Sequence, residues 1–129
     1  MKYNKCLDIG LLVLRPKLTG FVQHEGVIVG ANAVLHNTPA KGEHVSTLEV
    51  FADGKPIQLQ RTGANPEIIA ARAQQILSQP KSYDLFRRNC QHTTSEIIRG
   101  IATSPWAVIA TFLVTIAAVW MISLLLRKG

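Results

Sequence analysis

Three residues of this chain, Cys90, His24 and His36, have side chains that could act together on a carbonyl group. Cys90 stands at the predicted start of a helix. There the unpaired backbone N–H groups and the positive end of the helix dipole favour thiolate, the nucleophilic form. A histidine within hydrogen-bond reach would take the thiol proton and later return it to a leaving group. A second polar side chain on that histidine's other nitrogen would fix its tautomer and orientation. His24 opens one apolar strand and His36 closes the next. If the hairpin between them is in register, the two rings lie side by side on neighbouring strands.

Each residue also has an ordinary reading. A lone cysteine at a helix start is more often a small buried side chain, and a lone histidine is more often surface or satisfied core. His92 follows Cys90 by two positions, about 200° around a helix, so it faces away and is expected to be structural. Paired CxxC or HxxxH spacings are absent, so the sequence predicts neither a metal site nor a cofactor. Two cysteines, Cys6 and Cys90, make no disulfide framework. A single bridge between them stays open, with a reduced thiol the simpler expectation.

The elements that must hold these residues follow from apolar runs and their punctuation. Residues 7–14 and 24–30 read as strands separated by Pro16 and Gly20, and 33–37 follows a Gly30-Ala31-Asn32 turn. Residues 45–51 and 57–60 flank Asp53-Gly54, a second hairpin signal. Four or five strands in an antiparallel sheet are expected. Asn65 is a natural N-cap before Pro66, and the predicted helix 66–79 sets Ile68, Ile69, Ala73, Ile76 and Leu77 on one face. Pro80 ends it. After a polar connection over 81–89, a second helix is predicted over 90–102, with Thr94, Ile97, Ile98 and Ile101 at helical spacing. The fold class is α+β.

Residues 105–126 carry no charge and end at Arg127 and Lys128. At 1.5 Å per residue this segment spans about 30 Å, the hydrocarbon thickness of a bilayer. A domain this small has no room to enclose a helix that is apolar all round. The chain is therefore expected to be one domain over 1–104, a transmembrane helix over 105–126 and a short basic tail over 127–129. Trp106 suits the interface better than Trp120, which lies about two turns inside. Residues 7–14 contain Asp8 and lack a small-residue cleavage site behind them, so they do not read as a signal peptide. The domain is expected to be cytoplasmic, although the basic tail runs mildly against the positive-inside tendency. Net charge is +6, and without Arg127 and Lys128 it is +4, spread as singles and pairs. Such mild basicity favours an anionic membrane surface. No basic run alternates with exposed aromatics, so nucleic acid is not the expected partner.

The segment from Gln23 to Asn37, QHEGVIVGANAVLHN, resembles the first motif of the lecithin:retinol acyltransferase-like proteins. That motif is a histidine, a strand ending in Val-Gly, a turn and a second histidine. The segment from Tyr83 to Gly100, YDLFRRNCQHTTSEIIRG, resembles their second motif, an Asn-Cys-Glu-His box introduced by Tyr; here it reads Asn89, Cys90, Gln91, His92. Leu14-Arg15-Pro16 and the C-terminal apolar helix look like the H-ras-like phospholipase/acyltransferase branch. The resemblance covers nearly the whole chain. It implies a circularly permuted papain-like fold, with Cys90 as nucleophile, His24 as its general base and His36 orienting His24. The implied chemistry is acyl transfer or phospholipase A-like hydrolysis through a thioester on Cys90, with membrane phospholipid as acyl donor and water, an amine or an alcohol as acceptor.

This chain departs from the family pattern at three places. Gln91 replaces the acidic residue beside the cysteine, Glu25 stands where an aromatic is common, and the region between Asn37 and Tyr83 is short and polar. The histidine-glycine-valine start and Asn-Cys-x-His box also look like permuted-papain deubiquitinase and deSUMOylase-like proteases, so a cysteine peptidase or isopeptidase is the alternative. Cell-wall amidases use related parts but need an extracytoplasmic domain. A non-catalytic tethered interaction domain is the third reading.

Overall fold

The computed structural model describes residues 7–17 and 20–127. Strands β1 (Leu12–Pro16), β2 (Gln23–Gly30), β3 (Ala33–Thr38) and β4 (Gly42–Ser46) come first. Helix α1 (Leu48–Ala52), strand β5 (Gln58–Gln60) and helices α2 (Pro66–Ser78), α3 (Cys90–Arg99) and α4 (Pro105–Arg127) follow. The strands form one antiparallel sheet in the order β4-β3-β2-β1-β5. The expected α+β class with an antiparallel sheet is thus what the chain adopts.

Alternation along β2 gives the sheet two buried faces. Val27 joins Leu35, Ile69, Ala73, Ile76 and Ile97 in a core beneath α2 and α3. Ile28 joins Val13, Val34, Leu48 and Phe51 on the opposite side, under α1. Strands β2 and β3 are therefore clamped between helices, which explains why their sequences read as apolar runs rather than strict alternation.

Several boundaries differ from the sequence reading. The predicted strand 45–51 is mostly helix: only residues 45 and 46 belong to β4, and Thr47 caps α1 by accepting the Val50 N–H at 3.2 Å. A short apolar run has no period of its own to separate the two states; the Thr47 cap decides it. The predicted strand 7–14 begins later, at Leu12, because residues 9 and 10 turn and Gly10 takes a φ of +97°. In α2, Asn65 accepts N–H bonds from Glu67 and Ile68 as a cap, and Ile69, Ala73 and Ile76 are buried, but Ile68 and Leu77 face outward. Helix α3 ends at Arg99 rather than 102, since Gly100 adopts the left-handed φ of +78° and its N–H closes on the Glu96 carbonyl. Ile101, past that stop, is 65% exposed.

Helix α4 has 23 residues, a mean hydropathy of 2.5 over its apolar window and none of that window buried. It is long and apolar enough to cross a membrane.

Candidate functional site

Antiparallel register brings the two histidines together. Gly26 of β2 pairs with His36 of β3, which sets His36 one pleat from His24 on the same face. Nε2 of His24 lies 2.9 Å from Nδ1 of His36, and Nε2 of His36 lies 2.9 Å from Oγ of Ser46 on β4. Ser46 in turn donates its hydroxyl hydrogen to the Thr47 carbonyl at 3.1 Å. These bonds fix the proton positions in sequence. With its hydrogen committed to Thr47, Ser46 must accept from His36 Nε2–H. His36 Nδ1 is then an acceptor, so His24 Nε2 carries the proton. What remains is a bare lone pair on His24 Nδ1, which is the basic nitrogen of the pair.

Burial controls the charge of this pair. Both rings are 4% exposed. The pKa of His24 is lowered to about 3 by burial first, then by the neighbouring His36, Arg15, Lys17 and His44. That of His36 is likewise lowered to about 3, by burial and then by His44, Arg15 and Lys41. Both imidazoles are neutral at pH 7. Phe51 stacks on His24 with ring centres 5.1 Å apart and meets His36 edge-on at the same separation. Gly26 makes room for that ring: a Cβ there would sit 2.9 Å from Phe51 Cε2 and 2.6 Å from Val34 Cγ1.

Cys90 begins α3 on the other side of the sheet. Asn89 caps the helix, accepting N–H bonds from Gln91 at 2.9 Å and His92 at 3.2 Å, while His92 Nδ1 accepts the Asn89 N–H at 3.1 Å. His92 is thereby engaged in the cap, the structural role expected for it. Asn89 also donates to the Leu85 carbonyl and to Ser104 Oγ, each at 3.0 Å.

The thiol is 2% exposed, and burial pushes its pKa up from the ordinary value. Lys17 and the backbone N–H groups of Glu25 and Gln91 pull the other way without prevailing. The expectation of a helix-stabilised thiolate is therefore corrected: here desolvation outweighs the helix terminus, and the resting group is a neutral thiol. The sulfur sits against the Glu25 peptide, one residue along β2 from His24. Among the described residues, neither imidazole is hydrogen-bonded to it. Cys6, the other cysteine, lies outside the described residues.

A buried polar network locks the approach to Cys90. Glu43 and Arg88 form an ion pair, with Arg88 Nε donating to Glu43 Oε1 at 2.7 Å, and Arg88 also pairs with Glu96. Thr93 Oγ1 donates to Glu43 at 2.9 Å, and the Lys81 N–H donates to its other oxygen at 2.8 Å. Asn37 Nδ2 donates to the Arg88 carbonyl at 2.9 Å. The β3–β4 hairpin that carries His36 is thus tied to the segment that carries Cys90.

Gln91 and Glu25 meet each other. Gln91 Nε2 donates to Glu25 at 3.5 Å, and Thr94 donates to the same carboxylate at 2.8 Å. Gln91 Oε1 accepts from Ser104 at 2.6 Å and from the Trp106 N–H at 3.3 Å. The residue after the cysteine is therefore hydrogen-bonded to the first turn of α4.

Sequence reasoning missed Ser46, Phe51, Glu43 and Arg88. Only Gly26, a glycine inside a strand, signalled a close approach. No group of residues suited to hold a metal ion occurs among the described residues. Compared with known proteins, the chain matches no family model and no curated protein.

Proposed function

We propose that the chain is a membrane-anchored thiol acyltransferase or phospholipase A-like hydrolase acting on lipid esters, of the lecithin:retinol acyltransferase-like kind and with the permuted papain-like arrangement that the two motifs imply. The observation that carries this reading is the proton order along Ser46, His36 and His24, which leaves the basic lone pair on His24 Nδ1. Burial alone requires each ring nitrogen to find a partner; what supports a catalytic reading is that the chain of bonds runs one way and ends on a free lone pair. These bonds hold a neutral base in one tautomer beside the peptide against which the Cys90 sulfur lies.

In the proposed reaction the head of α3, which packs on the opposite face of the sheet from the His24 ring, shifts to bring the thiol to His24 Nδ1. That nitrogen takes the Cys90 proton as the sulfur attacks an ester carbonyl carbon. Negative charge gathers on the carbonyl oxygen, and the Cys90 N–H at the helix start is the natural donor to it. The carbon–oxygen ester bond then breaks, the departing alcohol receives the proton from His24, and the acyl group remains on sulfur as a thioester. Water, an amine or an alcohol attacks that thioester, its proton passes by His24 to the sulfur, and the thiol is restored. His36, accepting from His24 and backed by Ser46, keeps the ring from turning. Helix α4 holds the site at a lipid surface and raises the effective concentration of lipid esters.

Incubation with phospholipid vesicles tests the reading: fatty acid is expected to be released or transferred, and Cys90→Ala and His24→Ala to abolish it. Silence toward lipids, with labelling of Cys90 by a ubiquitin-like thiol probe, would favour the isopeptidase reading. The burial and raised pKa of the thiol favour a second reading, a non-catalytic tethered domain. In that case Cys90→Ala has no consequence in any assay.

A further inference from the structure

A cavity of about 330 Å³ opens between β1, β2, α3 and the head of α4, away from the histidine face. Glu25 and Gln91, the residues next after His24 and Cys90, line it. So do Arg61, Arg99, Thr103 and Pro105. We propose that this cavity binds a phosphodiester bearing an ammonium group, the headgroup of a zwitterionic phospholipid.

Charge is the first argument. Among the described residues, none of Arg61, Arg99 and Glu25 has an ionic partner. Arg99 spends one nitrogen on the hydroxyls of Ser95 and Thr103, each at 2.9 Å, and its other donors stay free. Glu25 is held only by the neutral donors Thr94 and Gln91. Two guanidinium groups suit the phosphate of a diester, and a carboxylate without a cation suits an ammonium group.

Depth is the second argument. Thr103 and Pro105 lead into α4, so the cavity lies where the chain would enter a bilayer, at the level of headgroups rather than of acyl chains. Its volume falls within the range of small-molecule sites, which begins at about 300 Å³.

The inference deepens the acyl-transfer reading and rests on it in one respect. A phosphate held by the arginines leaves the glycerol esters on the Gln91 side of the cavity, one residue along α3 from Cys90. The binding itself needs no chemistry. Glu25 and Gln91 thereby acquire a shared role as the wall between headgroup and thiol.

The test uses the full chain carrying Cys90→Ala in phosphatidylcholine nanodiscs doped with a phosphatidylcholine whose headgroup carries a diazirine. After illumination, peptide mass spectrometry is expected to find adducts on residues 61–62 and 94–103. Arg61→Gln combined with Arg99→Gln should lower them about tenfold, the loss of a charge-assisted hydrogen bond. Arg61→Gln alone, at an exposed residue that holds no other element, should lower them in the same direction. Adducts that fall elsewhere, or that both variants leave unchanged, overturn the proposal. Loss of the adducts to glycerophosphocholine supplied at the concentration of the lipid overturns the lipid source as well. If the adducts are absent while the unsubstituted chain still cleaves lipid esters, only the headgroup site is lost and the acyl-transfer reading stands.

Discussion

His24 and His36 face each other at 2.9 Å, Nε2 to Nδ1, and the direction of that bond is set from outside the pair, by Ser46. The serine hydroxyl is bound to the Thr47 carbonyl, so one rotamer on β4 determines which nitrogen of His24, two strands away, is basic.

Ser46→Ala should therefore slow acylation of Cys90 by about tenfold, the rate equivalent of one lost orienting hydrogen bond. His36 would be free to present its proton to His24 and reverse the relay. Single-turnover release of alcohol measures this, with circular dichroism unchanged. An unaltered rate would remove Ser46 from the account.

The paired histidines were legible in the sequence because the interval between His24 and His36 spans one hairpin, and hairpin register follows from its turn. The thiol at a helix start was legible from Asn89, a capping residue. Its protonation was not: the helix terminus promises a lowered pKa, and only the packing around Cys90 shows that burial prevails. Ser46 and Phe51 escaped notice because they lie in a run whose strand-to-helix change at Thr47 leaves no periodic trace. The Glu43–Arg88 pair joins residues far apart in the chain, a separation on which local patterning is silent.

Alkylation of Cys90 by iodoacetamide should be slow at pH 7 and rise about tenfold per pH unit toward pH 9, since only thiolate reacts and its pKa is raised. Mass spectrometry of the Cys90 peptide gives the rate. A plateau near neutrality would mean a resting thiolate and a different ground state for the site.

Stability should fall in mild acid. Folded His24 and His36 have pKa values lowered to about 3, against 6.5 for the free side chain. Between these limits the unfolded chain binds protons that the folded chain refuses, so stability is intact above pH 6.5 and is lost as pH falls toward 3. Each ring contributes a slope of up to about 1.4 kcal/mol per pH unit in that window. Urea titrations of the full chain in micelles at several pH values should show it, and His24→Gln with His36→Gln should flatten the dependence. Equal slopes in both proteins would contradict buried neutral rings.

Glu43→Ala should destabilise the fold by about 3 kcal/mol, because it removes the fully buried one of the two carboxylates that pair with Arg88, leaving Glu96 alone, and takes away the nearer acceptor of the Thr93 hydroxyl. The same variant should loosen the segment that precedes Cys90. Hydrogen exchange at residues 84–93 reads this directly: faster exchange there is expected, and an unchanged pattern would show that the network does not hold the site together.

The most direct measurement is the intact mass of the full chain quenched in acid after seconds with phospholipid vesicles. An added acyl mass, located on the Cys90 peptide, removed by neutral hydroxylamine and missing in His24→Ala, is the predicted result. A chain that stays unacylated while its Cys90 remains free, or one acylated equally well without the imidazole, would contradict the claim that His24 delivers this thiol to lipid esters.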